Sequence, residues 1–431
     1  MKVNVFWFRR DLRLEDNVGL NAALGKGFPV LPIFIFDENI LDELPADDSR
    51  VNFIYDQLKS INATLGNYNS ALKVYHGDPF EIWKNVLNEY DIAEVFTNRD
   101  YEPYALKRDK NVEEILNEHG VRMVTFKDQV IFEKEEVLKD DGTPYTVFTP
   151  FMKKWRSQFN YNALHFTEDV EFNRFLPLNI PFPSKSDLGI KPSKIKVASY
   201  NPKALNGYAE NRNLPEIDTS NLGPHLRFGT ISIRKLIKEV YKNHWQFTNE
   251  LIWREFFMMI LYHFPKSVEF NFKSKYDGIA WRNNEAEFEQ WCRGETGYPM
   301  VDAGMRQLNE TGYMHGRVRM VCASFLCKHL LIDWRWGEAY FAEKLLDYEL
   351  SSNIGNWQWV AGTGCDAAPY FRIFNPHEQL KKFDPKLKYV KTWVKDFEDL
   401  TYPQEMVSHK EARERCLQTY KVGIEVVEKV N

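Results

Sequence analysis

Cysteine is scarce in this 431-residue chain: Cys292, Cys322, Cys327, Cys365 and Cys416 are all there is. Five is an odd number, and the spacing fits no metal-ligand motif. A disulfide framework and a structural metal site are therefore not expected, and the thiols read as free in a reducing, cytoplasmic setting. Long apolar runs are missing too, so no membrane span is expected. The apolar opening Val3–Phe8 is too short for a signal peptide and runs straight into Arg9-Arg10-Asp11. No G-x-G-x-x-G occurs, which removes the usual dinucleotide fingerprint, and no internal repeat is visible. Nor is there an excess of positive charge. The net charge of −5 argues weakly against a nucleic-acid partner. The balance is uneven, however: residues 1–200 hold 25 basic against 31 acidic side chains, and residues 201–431 hold 31 against 30. A local basic face can still bind DNA.

What the chain does have is aromatic side chains, 15% of the total, in a composition that is 44% hydrophobic and 27% charged. Those values suit a globular protein with two or three domains. The most informative stretch is Asn353-Ile354-Gly355-Asn356-Trp357-Gln358-Trp359, continuing to Cys365-Asp366-Ala367-Ala368-Pro369-Tyr370-Phe371-Arg372. Glycine beside indoles suggests a backbone that must approach something large and flat. An ordinary core would more often use Leu, Ile and Val. Taken alone, the stretch could also be an aromatic corner of a helical domain.

The first third alternates strand-like and helix-like segments. Val3–Phe8, Val30–Phe36, Ala71–Tyr75, Glu94–Thr97 and Arg122–Phe126 read as strands, and Arg50–Leu65 and Leu106–His119 as helices. This rhythm predicts an α/β N-terminal domain with a Rossmann-like parallel sheet over residues 1–130. Residues 131–200, punctuated by Pro177, Pro181, Pro183 and Pro192, read as a connector. Residues 201–431 read as a larger all-α domain, with helical spacing at Ile231–Tyr241, Glu250–Tyr262, Glu285–Trp291, Pro299–Asn309, Arg317–Ile332 and Trp336–Asp347.

Five blocks in order carry a family resemblance. They are Asp218–Pro224 (DTSNLGP), Glu250–Phe256 (ELIWREF), Thr296–Ala303 (TGYPMVDA), Met314–Met320 (MHGRVRM) and the aromatic stretch from Asn353. Phe6–Asn17 (FWFRRDLRLEDN) adds an N-terminal match. Nearly end to end, the chain resembles the photolyase/cryptochrome family, most closely the class I enzymes that repair cyclobutane pyrimidine dimers (CPDs). The resemblance implies an all-α FAD-binding catalytic domain, light-driven electron transfer from reduced FAD to a flipped-out dimer, and UV-damaged DNA as the partner of a monomer.

It also implies roles. Tyr208, Thr219, Ser220, Asn221, Leu222 and Gly223 would hold the FAD pyrophosphate. Backbone N–H groups and hydroxyls at such a turn can bind phosphate oxygens, although an ordinary N-cap reads the same way. Arg319 and Asp347 would pair beside the isoalloxazine, with Arg254 and Glu349 near it; a plain interhelical salt bridge fits the spacing equally well. Asn353 stands where the family places an asparagine facing flavin N5, and plant cryptochromes have Asp and insect ones Cys. Glu250 and Trp253, at i and i+3, share a helix face. With Trp359 and Met320 they would line the lesion pocket: Glu250 hydrogen-bonding the thymine, Trp253 and Trp359 forming walls, Met320 a soft floor. Arg317, Arg372, Gln379 and Lys382 are candidates for the DNA backbone. Trp357, Trp334 and Trp281 match the family's photoreduction chain, with interhelical packing as the other reading.

Several positions depart from the pattern. Gly316 replaces an asparagine that helps to hold the CPD, Gly223 a serine, Glu349 an aspartate and Tyr313 a tryptophan. Histidines are absent at Gly316 and Met320, which argues against (6-4) repair. An antenna chromophore would sit in the α/β domain. Tyr104 and Ala105 stand where folate-type members have Asn and Glu, Arg50 and Glu102-Pro103-Tyr104 look more like deazaflavin-type members, and an FMN type remains open. A signalling photoreceptor of cryptochrome type is the alternative function, and a light-independent flavin or DNA-binding module a third.

Overall fold

Val3–Phe8 (β1) is buried along its whole length because it is the central strand of a parallel sheet. The other strands are Val30–Asp37 (β2), Lys73–Gly77 (β3), Ile92–Asn98 (β4) and Arg122–Phe126 (β5), in the order β3-β2-β1-β4-β5. Alternate residues of β1 point to opposite faces. Val3, Val5 and Trp7 pack with Trp83, Val86, Val112 and Leu116 from the helices Pro79–Glu89 and Pro103–Glu118. Phe6 and Phe8 pack on the other face with Leu20, Leu24, Tyr55 and Leu58 from Val18–Leu24 and Ser49–Gly66. A sheet covered on both sides explains why β1 and β2 are nearly continuous apolar runs rather than alternating ones.

The computed structural model describes residues 1–430. Contacts divide it into two units: residues 1–136, 158–199 and 222–243 form the sheet unit, and residues 137–157, 200–221 and 244–431 the helical unit. Residues 131–200 are thus not one connector. The helix Phe148–Gln158 interrupts them, burying Phe148, Phe151 and Trp155, and all but its last residue belongs to the helical unit. The physical reason is its apolar face, which a purely surface-running connector would leave in water.

In the helical unit, Glu285–Arg293, Pro299–Thr311, Gly316–Ser324, Trp334–Lys344 and Leu350–Ala361 surround a core that includes Trp291, Tyr298, Leu308, Phe325, Trp334, Phe341 and Trp357, and Trp245–His263 packs against Leu350–Ala361. The helix expected over Arg317–Ile332 runs regularly from Gly316 to Ser324, then widens into a π turn at Phe325–His329. Leu331, at φ 50°, ends it. Among the described residues no helix is long and apolar enough to cross a membrane.

Candidate functional site

The first part of the aromatic stretch is helical. Asn353–Trp359 lies inside the helix Leu350–Ala361, which Gly362 closes at φ 88°. Gly355 does let something flat approach, but that partner is the Phe257 ring of Trp245–His263, which a Cβ at this position would overlap. The helix buries Asn353, Trp357 and Gln358. The Gln358 amide donates to the carbonyls of Ser267 and Phe270 (2.8 and 3.1 Å) and accepts from Phe272 N–H (2.9 Å), so it is a structural brace.

The Asn353 amide NH2 donates to the Glu338 carboxylate (2.9 Å) and backbone carbonyl (3.1 Å). Both donations use the nitrogen end, so the amide is anchored with its oxygen as the remaining acceptor. Burial pushes the Glu338 carboxyl above the usual range, and its bond to Asn353 opposes that shift. Arg319 meets Asp347 through two hydrogen bonds (3.1 and 2.9 Å), while its Nε donates to the Met314 carbonyl (2.7 Å). Such a bidentate pair fixes the guanidinium plane as well as its charge. Arg254 pairs with Glu349 at 3.2 Å, both side chains largely buried.

The Thr219 hydroxyl lies 2.9 Å from the Tyr313 hydroxyl, and the Arg319 guanidinium is 5.5 Å from the Tyr313 ring. Thr219, Ser220 and Asn221 (φ 54°) belong to the helical unit. Leu222 and Gly223 open the short helix Leu222–Arg227 of the sheet unit. Tyr208 meets Phe247 edge-on at 5.1 Å, and its phenol is pushed above its usual range by burial and then by the charge of Glu250.

Glu250 accepts from Arg212 (2.6 Å) and from the Gln246 amide (3.1 Å). Burial raises the Glu250 carboxyl above its usual value, and these two partners pull it back. Arg317 donates to Asn213 (2.7 Å) and lies 4.5 Å from the Phe383 ring. Its guanidinium is held below its ordinary range by burial, then by the like charges of Arg212 and Arg372. Arg212 thus binds the Glu250 carboxylate and also acts electrostatically on Arg317, as Arg372 does. Arg372 is exposed and lies 5.8 Å from the Trp359 ring. Trp253, expected to form a wall of the lesion pocket, stacks on Phe148 at 3.7 Å and 8°. Phe256 and Phe257 also meet the indole, at 5.6 Å and 5.3 Å. Met320 and Trp359 are both half-buried. Gly316 is exposed at the start of its helix. Gln379 and Lys382 sit on Pro376–Phe383, where Gln379 Oε1 is buried without a hydrogen bond and Lys382 is exposed.

Trp357 and Trp334 are fully buried, and Trp281 is partly buried with its ring edge-on to Tyr420 at 5.9 Å. In the sheet unit, Tyr104 donates to Asp37 (2.6 Å) and Arg50 pairs with Asp48 (2.6 Å). Sequence reasoning missed Phe148, Arg212, Asn213 and Glu338. Glu338 sits on the preceding helix, 15 residues from Asn353, and the other three lie farther along the chain from the residues they support, in segments without a motif, so the fold brings them together.

Residues 4–171 match the family model described as DNA photolyase, and residues 247–401 the FAD binding domain of DNA photolyase. The deoxyribodipyrimidine photo-lyase of Agrobacterium fabrum is 36% identical over 96% of this chain and 97% of its own length. A bacterial class III photolyase from Agrobacterium tumefaciens superposes with a TM-score of 0.88 at 34% identity, covering 99% of this chain and 98% of that one. An archaeal photolyase from Sulfolobus tokodaii, solved with two FAD molecules, gives 0.84 at 34% identity over 98% and 100%.

Proposed function

This chain belongs to the DNA photolyase family, and from that premise we propose that it uses light to repair cyclobutane pyrimidine dimers in DNA. One observation carries the reading. The helical unit holds two sets of direct contacts, Arg319 with Asp347 and Tyr313, and Glu250 with Arg212 and Gln246, and Tyr208 feels the charge of Glu250 and Arg212 from one set and of Tyr313 from the other. Groups suited to a flavin thus adjoin groups suited to a damaged base and its phosphates.

The donor set fits FAD. Asn353 offers an anchored amide oxygen to an N–H edge, Arg319 with Asp347 a fixed charge pair, and Thr219 with Tyr313 two adjacent hydroxyls. Bound FAD supplies the light-driven electron donor. The protein's part is to position, to exclude water and to stabilise charge on the lesion. Glu250 and Gln246 lie on one face of Trp245–His263, so the carboxyl can meet a thymine N–H or carbonyl edge. Trp253 and Trp359 offer aromatic surfaces, and Met320 an adaptable one. The three arginines attract phosphate without reading sequence. A damaged base leaves the stack at lower cost, which favours the lesion. Trp357, Trp334 and Trp281 are the tryptophans that would return oxidised FAD to its reduced form. Asn353, Glu250, Trp253 and Trp359 together favour repair over a photoreceptor role.

The test mixes the reduced, FAD-loaded protein with CPD-containing oligothymidylate and follows the thymine absorbance. Recovery under near-UV or blue light and none in the dark is expected. No recovery in the light from reduced, FAD-loaded protein refutes the proposal.

A further inference from the structure

We infer that Lys328 is a positioning residue of the proposed lesion site: its buried ammonium ties together the two ends of the loop 362–370 and so holds Arg372 beside Trp359. The inference rests on the proposed repair function and deepens it. Lys328 lies in the π turn Phe325–His329, a distortion that often marks a functional position. It is 1% exposed. Its Nζ donates to the Ala361 carbonyl at 2.7 Å and to the Tyr370 carbonyl at 3.2 Å, and lies 3.9 Å from the centre of the Tyr420 ring. Ala361 ends the helix Leu350–Ala361, and Tyr370 ends the loop that follows it. Tyr420 joins both ends as well: its hydroxyl donates to the Ala361 carbonyl at 2.8 Å, and its ring stacks on Tyr370 at 5.8 Å and 6°.

A cation is a costly way to fill a buried position, and among the described residues no carboxylate pairs with this one. Burial accordingly pulls its pKa down to about 8. The charge is stabilised by the two carbonyls, by the face of Tyr420 and by the negative end of the helix dipole at Ala361. A methionine would fill the space without the desolvation cost, but it could not hold two carbonyls. Bonds to both ends of one loop are what an ammonium adds at this position.

Those carbonyls flank the side chains proposed for DNA. Trp359 comes just before Ala361, and Arg372 just after Tyr370. The Arg372 guanidinium lies 5.8 Å from the Trp359 ring and 5.4 Å from the Phe374 ring, and forms no ion pair among the described residues. Its place is thus set by these rings and by the backbone that carries it. That backbone is held by Ala368 N–H, which donates to the Trp359 carbonyl at 3.2 Å, and by Lys328 at Tyr370. Loss of the ammonium frees the Tyr370 carbonyl and lets Arg372 drift from Trp359, so a phosphate meets a less ordered cation.

The test uses FAD-loaded protein and compares the parent with Lys328→Met and with Leu308→Ala, a destabilising core change on the helix Pro299–Thr311. Hydrogen–deuterium exchange reads residues 362–372. Fluorescence anisotropy in the dark reads affinity for CPD-containing and undamaged oligothymidylate, and repair yield is read in the light at saturating DNA. The loop amides should be protected in the parent. Lys328→Met should speed their exchange and weaken CPD binding about tenfold, the scale of one charge-assisted contact that is no longer pre-positioned. Its yield per bound lesion should equal the parent's. Leu308→Ala should lower the urea midpoint and leave CPD affinity unchanged. If Lys328→Met gives too little folded protein, Lys328→Gln, which keeps a donor without the charge, carries the same comparison. Unprotected loop amides in the parent overturn the clamp. Parental CPD affinity in the lysine variant, or an equal loss in Leu308→Ala, overturns the positioning role and leaves the repair function standing. No light-dependent recovery from the reduced parent overturns the repair function and the positioning role with it.

Discussion

Replacing Gly316 with asparagine should tighten lesion binding. Gly316 is the first residue of Gly316–Ser324, just after the N-cap His315, whose ring accepts from Arg317 N–H at 3.2 Å. A Cβ built on it meets nothing within 4 Å, so an added side chain enters open space without displacing a neighbour. Glycine is also the poorer helix former, and the change should stabilise the helix by a few tenths of a kcal/mol. One new hydrogen bond from the amide to the lesion is worth about 1 kcal/mol, or roughly a fivefold change in affinity. Fluorescence anisotropy in the dark, at fixed salt because arginine–phosphate contacts are salt-sensitive, compares CPD-containing and undamaged oligothymidylate. Gly316→Asn should bind the damaged strand about fivefold more tightly and the undamaged strand equally well. Equal affinity for the damaged strand, with folding intact by urea titration, would refute the reasoning: some other group already fills the role. Weaker affinity would mean that the lesion itself needs this space.

Three further outcomes are expected. Glu250→Gln removes the charge that Arg212 binds at 2.6 Å; repair yield should fall several-fold with FAD still bound, while undamaged DNA binds more tightly, and an unchanged yield would remove Glu250 from the pocket. His315 is held down at about 4, by burial first and then by Arg319 and Arg317, against an ordinary 6.5. The folded state therefore resists protonation, and a contribution of about 3 kcal/mol, complete above pH ~6.5, is lost as pH falls towards 4; His315→Asn, which keeps an N-cap, should flatten that part of the urea-midpoint profile, and an identical profile would exclude His315 as its source. Gly355→Ala drives a methyl into the Phe257 ring and should destabilise the fold by about 2 kcal/mol in denaturant titration; an unchanged midpoint would mean that Phe257 moves aside freely.

Much of the fold was legible because it rests on periodicity. The five strands fall where the apolar runs are, and β1 alternates its side chains between two cores as a period of two requires. The Arg319–Asp347 pairing was also legible from the family pattern. Partners supplied across the fold were not. Nothing in the sequence near Trp253 points to Phe148, more than a hundred residues earlier, as its stacking partner. Nothing near Glu250 points to Arg212. Gly355 was read correctly as a site of close approach, but sequence could not say that the approaching ring is Phe257. The interleaving of the two units was hidden for the same reason. Pro-rich spacing marks residues 131–200 as irregular, whereas which unit each piece joins depends on apolar faces such as that of Phe148–Gln158.

The arginine cluster reconciles a net charge of −5 with a polyanionic substrate. Average charge governs long-range repulsion, which salt screens beyond about 10 Å. Binding is decided within that distance. There, Glu250 is the carboxylate bound to Arg212, and Arg317 is held below its ordinary range by burial first and then by the like charges of Arg212 and Arg372. Convergent like charges raise the energy of the protein without ligand. A phosphate arriving between them relieves that repulsion as well as adding its own attraction, so the cluster gains more from an anion than three separated arginines would. Glu250 then has two opposed effects. In the proposed function it would lower the repulsion before DNA arrives, weakening non-specific binding, and would offer a hydrogen-bonding edge to a base turned out of the helix. On the proposed repair function, selectivity for damaged over intact DNA would follow from that opposition rather than from the strength of any single contact.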